Sequence, residues 1–227
     1  MENHRINYSD VYMTISIITV CVIMFILEAV MGGTQNTATL IKLGAMNNLL
    51  VVAKGQWWRL FTAQFLHIGI WHLVSNIVMI YYMGILLEPM LGHIRFLFVY
   101  LVSGIGGNLL SLAFGSDFSV GAGASTALFG LFGVAIAMGV QYYHNKLVTF
   151  LARQALTLAI INLVIDIFLP FVDLWGHLGG LITGFLLMLS LEVTSKSSAI
   201  RKVAVLAICA LIIFVVFAVR QGMVVSY

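Results

Sequence analysis

Of the 227 residues, 62% are hydrophobic and only 8% are charged, whereas a soluble domain carries about a quarter charged residues. One water-soluble core cannot hide so much apolar side chain, so a soluble globular protein is excluded and the lipid bilayer becomes the first partner; mean hydropathy is +1.09. The formal charge of +3 is small and scattered, with no basic stripe carrying interleaved aromatics, which excludes nucleic acid as a partner.

Seven segments reach the roughly 20 apolar residues that a spanning helix needs, at about 11–31, 66–87, 95–114, 121–142, 147–169, 173–191 and 202–220. Backbone polar groups must all be satisfied in lipid, so these are predicted helices. The first, Val11 to Met31, is longer than a signal-peptide core of about 7–15 residues and lacks a small-residue cleavage motif, so it reads as a retained span. The longest connection, about 32–65, carries Gly32-Gly33, Asn47, Asn48 and the amphipathic stretch Gln56-Trp57-Trp58-Arg59. Tryptophan beside arginine is typical of the headgroup region, which places this loop in the outer interface. In the fifth span Arg153 and Asp166 sit near the ends, where side chains can reach the interface. Cys21 and Cys209 fall inside apolar runs and read as buried small hydrophobes, not a disulfide.

The expected organisation is one membrane domain over residues 1–227. Residues 1–10 form a cytoplasmic N-terminus, 11–191 a six-span core, and 202–220 a seventh span, with no soluble domain before or after. With the N-terminus inside, one side collects seven cationic residues (Arg5, Arg95, Lys146, Arg153, Lys196, Arg201, Lys202) and the other four (Lys42, Lys54, Arg59, Arg220), which favours that orientation. Compactness and the lack of targeting motifs point to a bacterial plasma membrane.

Polar residues inside spans are costly, so each is a functional hypothesis. Four stand out: His72, Asn76, Ser125 and His177. They sit toward the N-terminal ends of the second, fourth and sixth spans, which all run in the same direction and so share one depth. Serine and histidine are the minimum pair for nucleophilic acyl transfer, because a neutral imidazole can take the hydroxyl proton and later give it to the leaving amine. Ser125 follows Gly121-Ala122-Gly123-Ala124, where glycine permits a tight turn. The first-turn N–H groups of the next helix are free to point at a developing oxyanion. His72 and Asn76, four apart on one face, can add side-chain donors.

The sixth span reads His177-Leu178-Gly179-Gly180-Leu181-Ile182-Thr183-Gly184, with Gly180 and Gly184 as a small-residue packing pair near the histidine. Ser125, Phe129, Gly133 and Ala137 make the facing stripe, so packing the two brings His177 beside Ser125 with Phe129 against the imidazole. Taken singly, Ser125 is an N-cap, His177 an interfacial histidine, and the glycines mere packing. Their coincidence at one depth favours catalysis. No metal is expected: His67 and His72 are five apart, no H-E-x-x-H occurs, and acidic residues in the spans are few.

These motifs resemble the rhomboid family of intramembrane proteases over nearly the whole chain. Trp58-Arg59 looks like its W-R signature, and His67-Ile68-Gly69-Ile70-Trp71-His72-Leu73-Val74-Ser75-Asn76 resembles its second-span pattern. Gly123-Ala124-Ser125 is similar to its G-x-S, and His177, Gly180 and Gly184 to its H-x-x-G-x-x-x-G. The resemblance implies an all-α polytopic protein, a rhomboid-like six-helix core plus a C-terminal seventh helix. It implies a serine endopeptidase with no cofactor, cutting transmembrane segments of single-span proteins near the extracytoplasmic face. Ser125 would be the nucleophile and His177 the base, a dyad without an acidic third member. The Ser125 N–H, the Ala124 region, His72 and Asn76 would hold the oxyanion, and Glu88 would be a structural glutamate. Phe129 stands where many relatives have tyrosine, and Ala63 where some bacterial ones have a further histidine. Two rival readings are a non-catalytic rhomboid-like protein that binds membrane clients, and a small transporter using Asn162 and Asp166 as an ion path.

Overall fold

The chain is seen in a computed structural model that describes residues 11–169, 171–192, 194–195 and 197–225. The stretch assigned to the cytoplasm, with Arg5, and also Lys196 lie outside the described residues. The chain runs α1 (Tyr12–Val30), α2 (Thr37–Leu43), α3 (Asn48–Val52), α4 (Arg59–Thr62), α5 (Ile70–Leu91), α6 (His93–Phe114), α7 (Ser125–Gln141), α8 (Lys146–Phe168), α9 (Leu174–Ser190) and α10 (Ser198–Val225). Among the described residues there is no strand, only an isolated antiparallel bridge between Met46 and Gly121. It is an all-α, polytopic membrane protein.

Helices α1, α5, α6, α8 and α10 are long and apolar enough to cross a membrane. α7 and α9, at 17 residues each, are shorter. The sequence windows 121–142 and 173–191 overrun them because hydropathy does not distinguish helix from extended apolar chain. Gly121 pairs with Met46 instead of joining a helix, and Gly123 takes a φ of +151°, which lies outside helical geometry. α10 errs the other way. It runs Ser198–Val225 and takes in Arg201 and the stretch from Arg220 to Val225, at or beyond the edges of the expected 202–220, because arginine favours helix although it lowers hydropathy.

Burial is graded inward. α7 is the central helix, with Ala127, Leu131, Val134 and Ala137 wholly inaccessible, and it packs on α5, α6, α8 and α9. On α1, α8 and α10, by contrast, Ile23, Ile26, Ile160, Ile161, Ile213 and Val216 face outward, as lipid-facing helices require. Cys209 on α10 is also exposed, so only Cys21 is the buried thiol the sequence suggests for both.

Lipid offers no hydrophobic drive between helices, so close backbone approach matters most. A Cβ on Gly180 would strike the Thr126 carbonyl, one on Gly184 the Gly130 carbonyl, and one on Gly133 the Leu181 carbonyl. The two glycine stripes therefore lie backbone to backbone along the α7–α9 seam.

Two polar knots fix the rest. The loop between α1 and α5 is held by Arg59, whose Nη1 donates to the Ile41 and Ala45 carbonyls at 2.8 Å each while Nε donates to Gln56 Oε1 at 2.7 Å. Its guanidinium also lies 4.6 Å from the Trp58 ring centroid. Burial pulls the Arg59 pKa below its ordinary value, so the charge is sustained by these acceptors. Asn108 on α6 donates to the Leu60 carbonyl at 2.8 Å and ties the loop to the bundle.

The second knot is Glu88. Its buried carboxylate accepts from the Met13 and Thr14 backbone N–H groups at 2.9 and 2.8 Å, and from the Thr14 hydroxyl at 2.6 Å. His93 Nδ1 stands 2.6 Å away. The free N–H groups of the α1 start thus meet a negative charge from α5, and α1, α5 and α6 are joined at one end.

Candidate active site

Ser125 is the first residue of α7 and partly accessible. The turn before it is shaped from both sides. Gly123 N–H donates to the Ala63 carbonyl at 3.0 Å, and a Cβ at Gly123 would fall 2.7 Å from His72 Cε1. Glycine is thus required twice over, by its positive φ and by the imidazole lying against it. Ala124, wholly buried, is the N-cap position, and its carbonyl accepts from Leu128.

His177 lies in the first turn of α9, where the Asp173 side chain accepts from Gly176 N–H at 2.8 Å and caps the helix. Its Nε2 is 2.7 Å from Ser125 Oγ. The Phe129 ring is stacked on the imidazole, centroids 4.2 Å apart and planes 9° from parallel. The other ring nitrogen, Nδ1, stands 2.6 Å from Asp166 Oδ2. Both imidazole nitrogens are therefore engaged, and the ring plane is held from one face.

The carboxylate at Nδ1 departs from the sequence expectation of a serine and histidine with no acidic neighbour. Asp166 also turns inward: it is only 8% exposed, in the last turn of α8. A signal for this was present. Residues 169–173 are too few to carry the end of α8 far from the start of α9. The ion-path reading loses its second residue as well, since exposed Asn162 turns its amide onto the Leu158 carbonyl of its own helix at 2.8 Å.

His72 and Asn76 share a face of α5, as their spacing requires. His72 abuts the Gly123 turn. Buried Asn76 donates one amide N–H to the His72 carbonyl at 3.1 Å, which leaves the second of its two donors for other use. His67 is fully buried. Its ring meets that of His72 edge-on at 5.3 Å, and its backbone N–H donates to Glu28 Oε1 at 2.9 Å. Trp58 and Arg59 stay in the loop as scaffolding, and Gly180 and Gly184 form the seam that lets α9 approach. An alcohol, an imidazole in contact with it, and polar side chains on α5 beside the turn before it suit addition to a carbonyl.

A family model for the rhomboid domain matches residues 54–194. The chain is 40% identical over 164 residues to rhomboid protease GluP of Bacillus subtilis (strain 168), covering 72% of this chain and 32% of that protein. It is 43% identical over 155 residues to the mitochondrial RHOMBOID-like protein 6 of Arabidopsis thaliana, covering 67% and 49%. It is also 40% identical over 144 residues to putative rhomboid protease YdcA of Bacillus subtilis (strain 168), covering 61% and 69%. The chain spans about a third of the length of GluP and about half that of the plant relative. With the matched domain covering most of this chain and holding Ser125, His177 and the α5 face together, the protein belongs to the rhomboid family.

Proposed function

We propose that this protein is an intramembrane serine endopeptidase of the bacterial plasma membrane, with a cytoplasmic N-terminus, that cuts transmembrane segments of single-span proteins near the extracytoplasmic face. The observation that carries the reading is the 2.7 Å contact of Ser125 Oγ with His177 Nε2. A client-binding relative has no need of a serine held on an imidazole, so the contact favours protease over escort.

His177 takes the Oγ proton on Nε2 as the oxygen adds to the scissile carbonyl carbon. The carbonyl oxygen becomes an oxyanion, stabilised by the Ser125 N–H at the Gly123-Ala124 turn with His72 and Asn76 from α5. Collapse breaks the C–N bond, and the proton on Nε2 passes to the departing amine. Water, deprotonated by the same nitrogen, then releases the acyl group and restores Ser125. No cofactor is required for these steps. A substrate helix hides its carbonyls in its own hydrogen bonds, so segments with Gly, Ser or Pro, which unwind at least cost, are the preferred sites.

The test is cleavage of a synthetic single-span substrate by the purified chain in proteoliposomes. Wild type cuts it, while Ser125→Ala and His177→Ala each abolish product. Equal cleavage by either variant rejects the assignment.

A further inference from the structure

We infer that Asp166 is a positioning residue for His177, so that the chemistry here runs on a serine, a histidine and a carboxylate. The inference rests on the protease reading and adds to it. Asp166 Oδ2 lies 2.6 Å from His177 Nδ1, with the two side chains only 6% and 9% exposed. A buried carboxylate without a partner is strongly disfavoured, and this one has an imidazole nitrogen at short range.

The chemical consequence follows from the ring having two nitrogens. With Nδ1–H donating to Asp166, the lone pair must sit on Nε2, the nitrogen that faces Ser125 Oγ. The other tautomer would present N–H to the hydroxyl and leave nothing to take its proton. When Nε2 gains that proton, the imidazolium forms beside a negative charge and is stabilised by it. Asp166 keeps its charge throughout and carries no proton of the reaction. The Phe129 ring fixes the plane of the imidazole but cannot choose its tautomer; only the group at Nδ1 can.

A purely structural tie between α8 and α9 makes different predictions, because it acts on the fraction of folded protein. The experiment compares wild type, Ser125→Ala, Asp166→Asn and Asp166→Ala on a synthetic single-span substrate in proteoliposomes. It reads kcat and KM per folded molecule, with thermal midpoints taken alongside. Asp166→Asn keeps the shape but favours the wrong tautomer, so kcat falls by about 10²- to 10⁴-fold with KM changed less than about threefold. Asp166→Ala loses less than Asp166→Asn, because it imposes no tautomer. An Asp166→Asn kcat within about threefold of wild type overturns the inference while Ser125→Ala stays inactive and the protease reading stands.

Should Asp166→Asn fail to fold, ¹⁵N spectra of His177 in the unmodified protein decide. Protonated Nδ1 with unprotonated Nε2 supports the inference, and the reverse tautomer overturns it. Wild type no more active than Ser125→Ala sinks the protease reading instead, and the same spectra still decide whether Asp166 sets the tautomer.

Discussion

Phe129 and His177 lie one on the other, ring on ring, with 9° between their planes. A flat apolar face under an imidazole restricts its rotation about χ2 without adding a competing hydrogen-bonding group. Contacts of this kind contribute about 0.5–1.5 kcal/mol beyond area burial. Phe129→Leu is therefore expected to lower kcat about two- to tenfold, measured on a single-span substrate at saturation. Phe129→Tyr keeps the stacking surface and should stay within about twofold; a larger loss for Tyr than for Leu contradicts this role.

The α5 face is expected to act on the transition state and not on substrate binding. Removing one oxyanion donor typically costs about 10²- to 10³-fold in kcat. His72→Ala and Asn76→Ala should each show such a fall with KM little altered. A rise in KM at constant kcat would assign them to substrate docking.

The α7–α9 seam tolerates no added carbon. Cβ atoms at Gly180 and Gly184 would overlap the carbonyls of Thr126 and Gly130, and neither backbone can give way without moving the helix that bears Ser125 or His177. Gly180→Val and Gly184→Val should lower the thermal midpoint and abolish cleavage together. Ile213→Ala, at a site 67% exposed to lipid, should change neither.

Glu88 anchors one end of the bundle through four short contacts. Hydrogen bonds to a charged group contribute about 1.5–3 kcal/mol, so Glu88→Gln should destabilise the fold by about 2 kcal/mol. Thermal or denaturant unfolding in detergent reads this, and an unchanged midpoint would leave the knot without energetic weight.

Arg59 engages three acceptors with two nitrogens, a geometry the point charge of lysine does not reproduce. Arg59→Lys is expected to loosen residues 36–62, seen as faster limited proteolysis there. Equal proteolysis rates would show that Asn108 and Leu60 suffice.

Ser125 and His177 were legible in the sequence because glycine spacing reports which helix faces can touch, and both residues lie at the ends of such stripes. The shared face of His72 and Asn76 was legible from their spacing of four residues. Asp166 was not read as a neighbour of His177, since an acid near a helix end looks the same whether it snorkels or turns inward. Only the short 169–173 connection carried that information. The partners of Glu88 were hidden because Thr14 is 74 residues away in sequence. The late start of α7 was hidden because Gly121 to Ala124 is as apolar as the helix it precedes, and the bridge from Gly121 to Met46 needs the fold to exist.

The 17 residues of α7 rise about 26 Å, less than the roughly 30 Å of a typical hydrocarbon layer. Because α7 is walled off by its neighbours, changes in acyl-chain length press on the outer helices and not on this inner strut. On the proposed protease function, the level at which a bond is broken is then dictated by the polypeptide. A thicker or thinner bilayer would alter how a client presents itself, and leave Ser125 standing where the fold has put it.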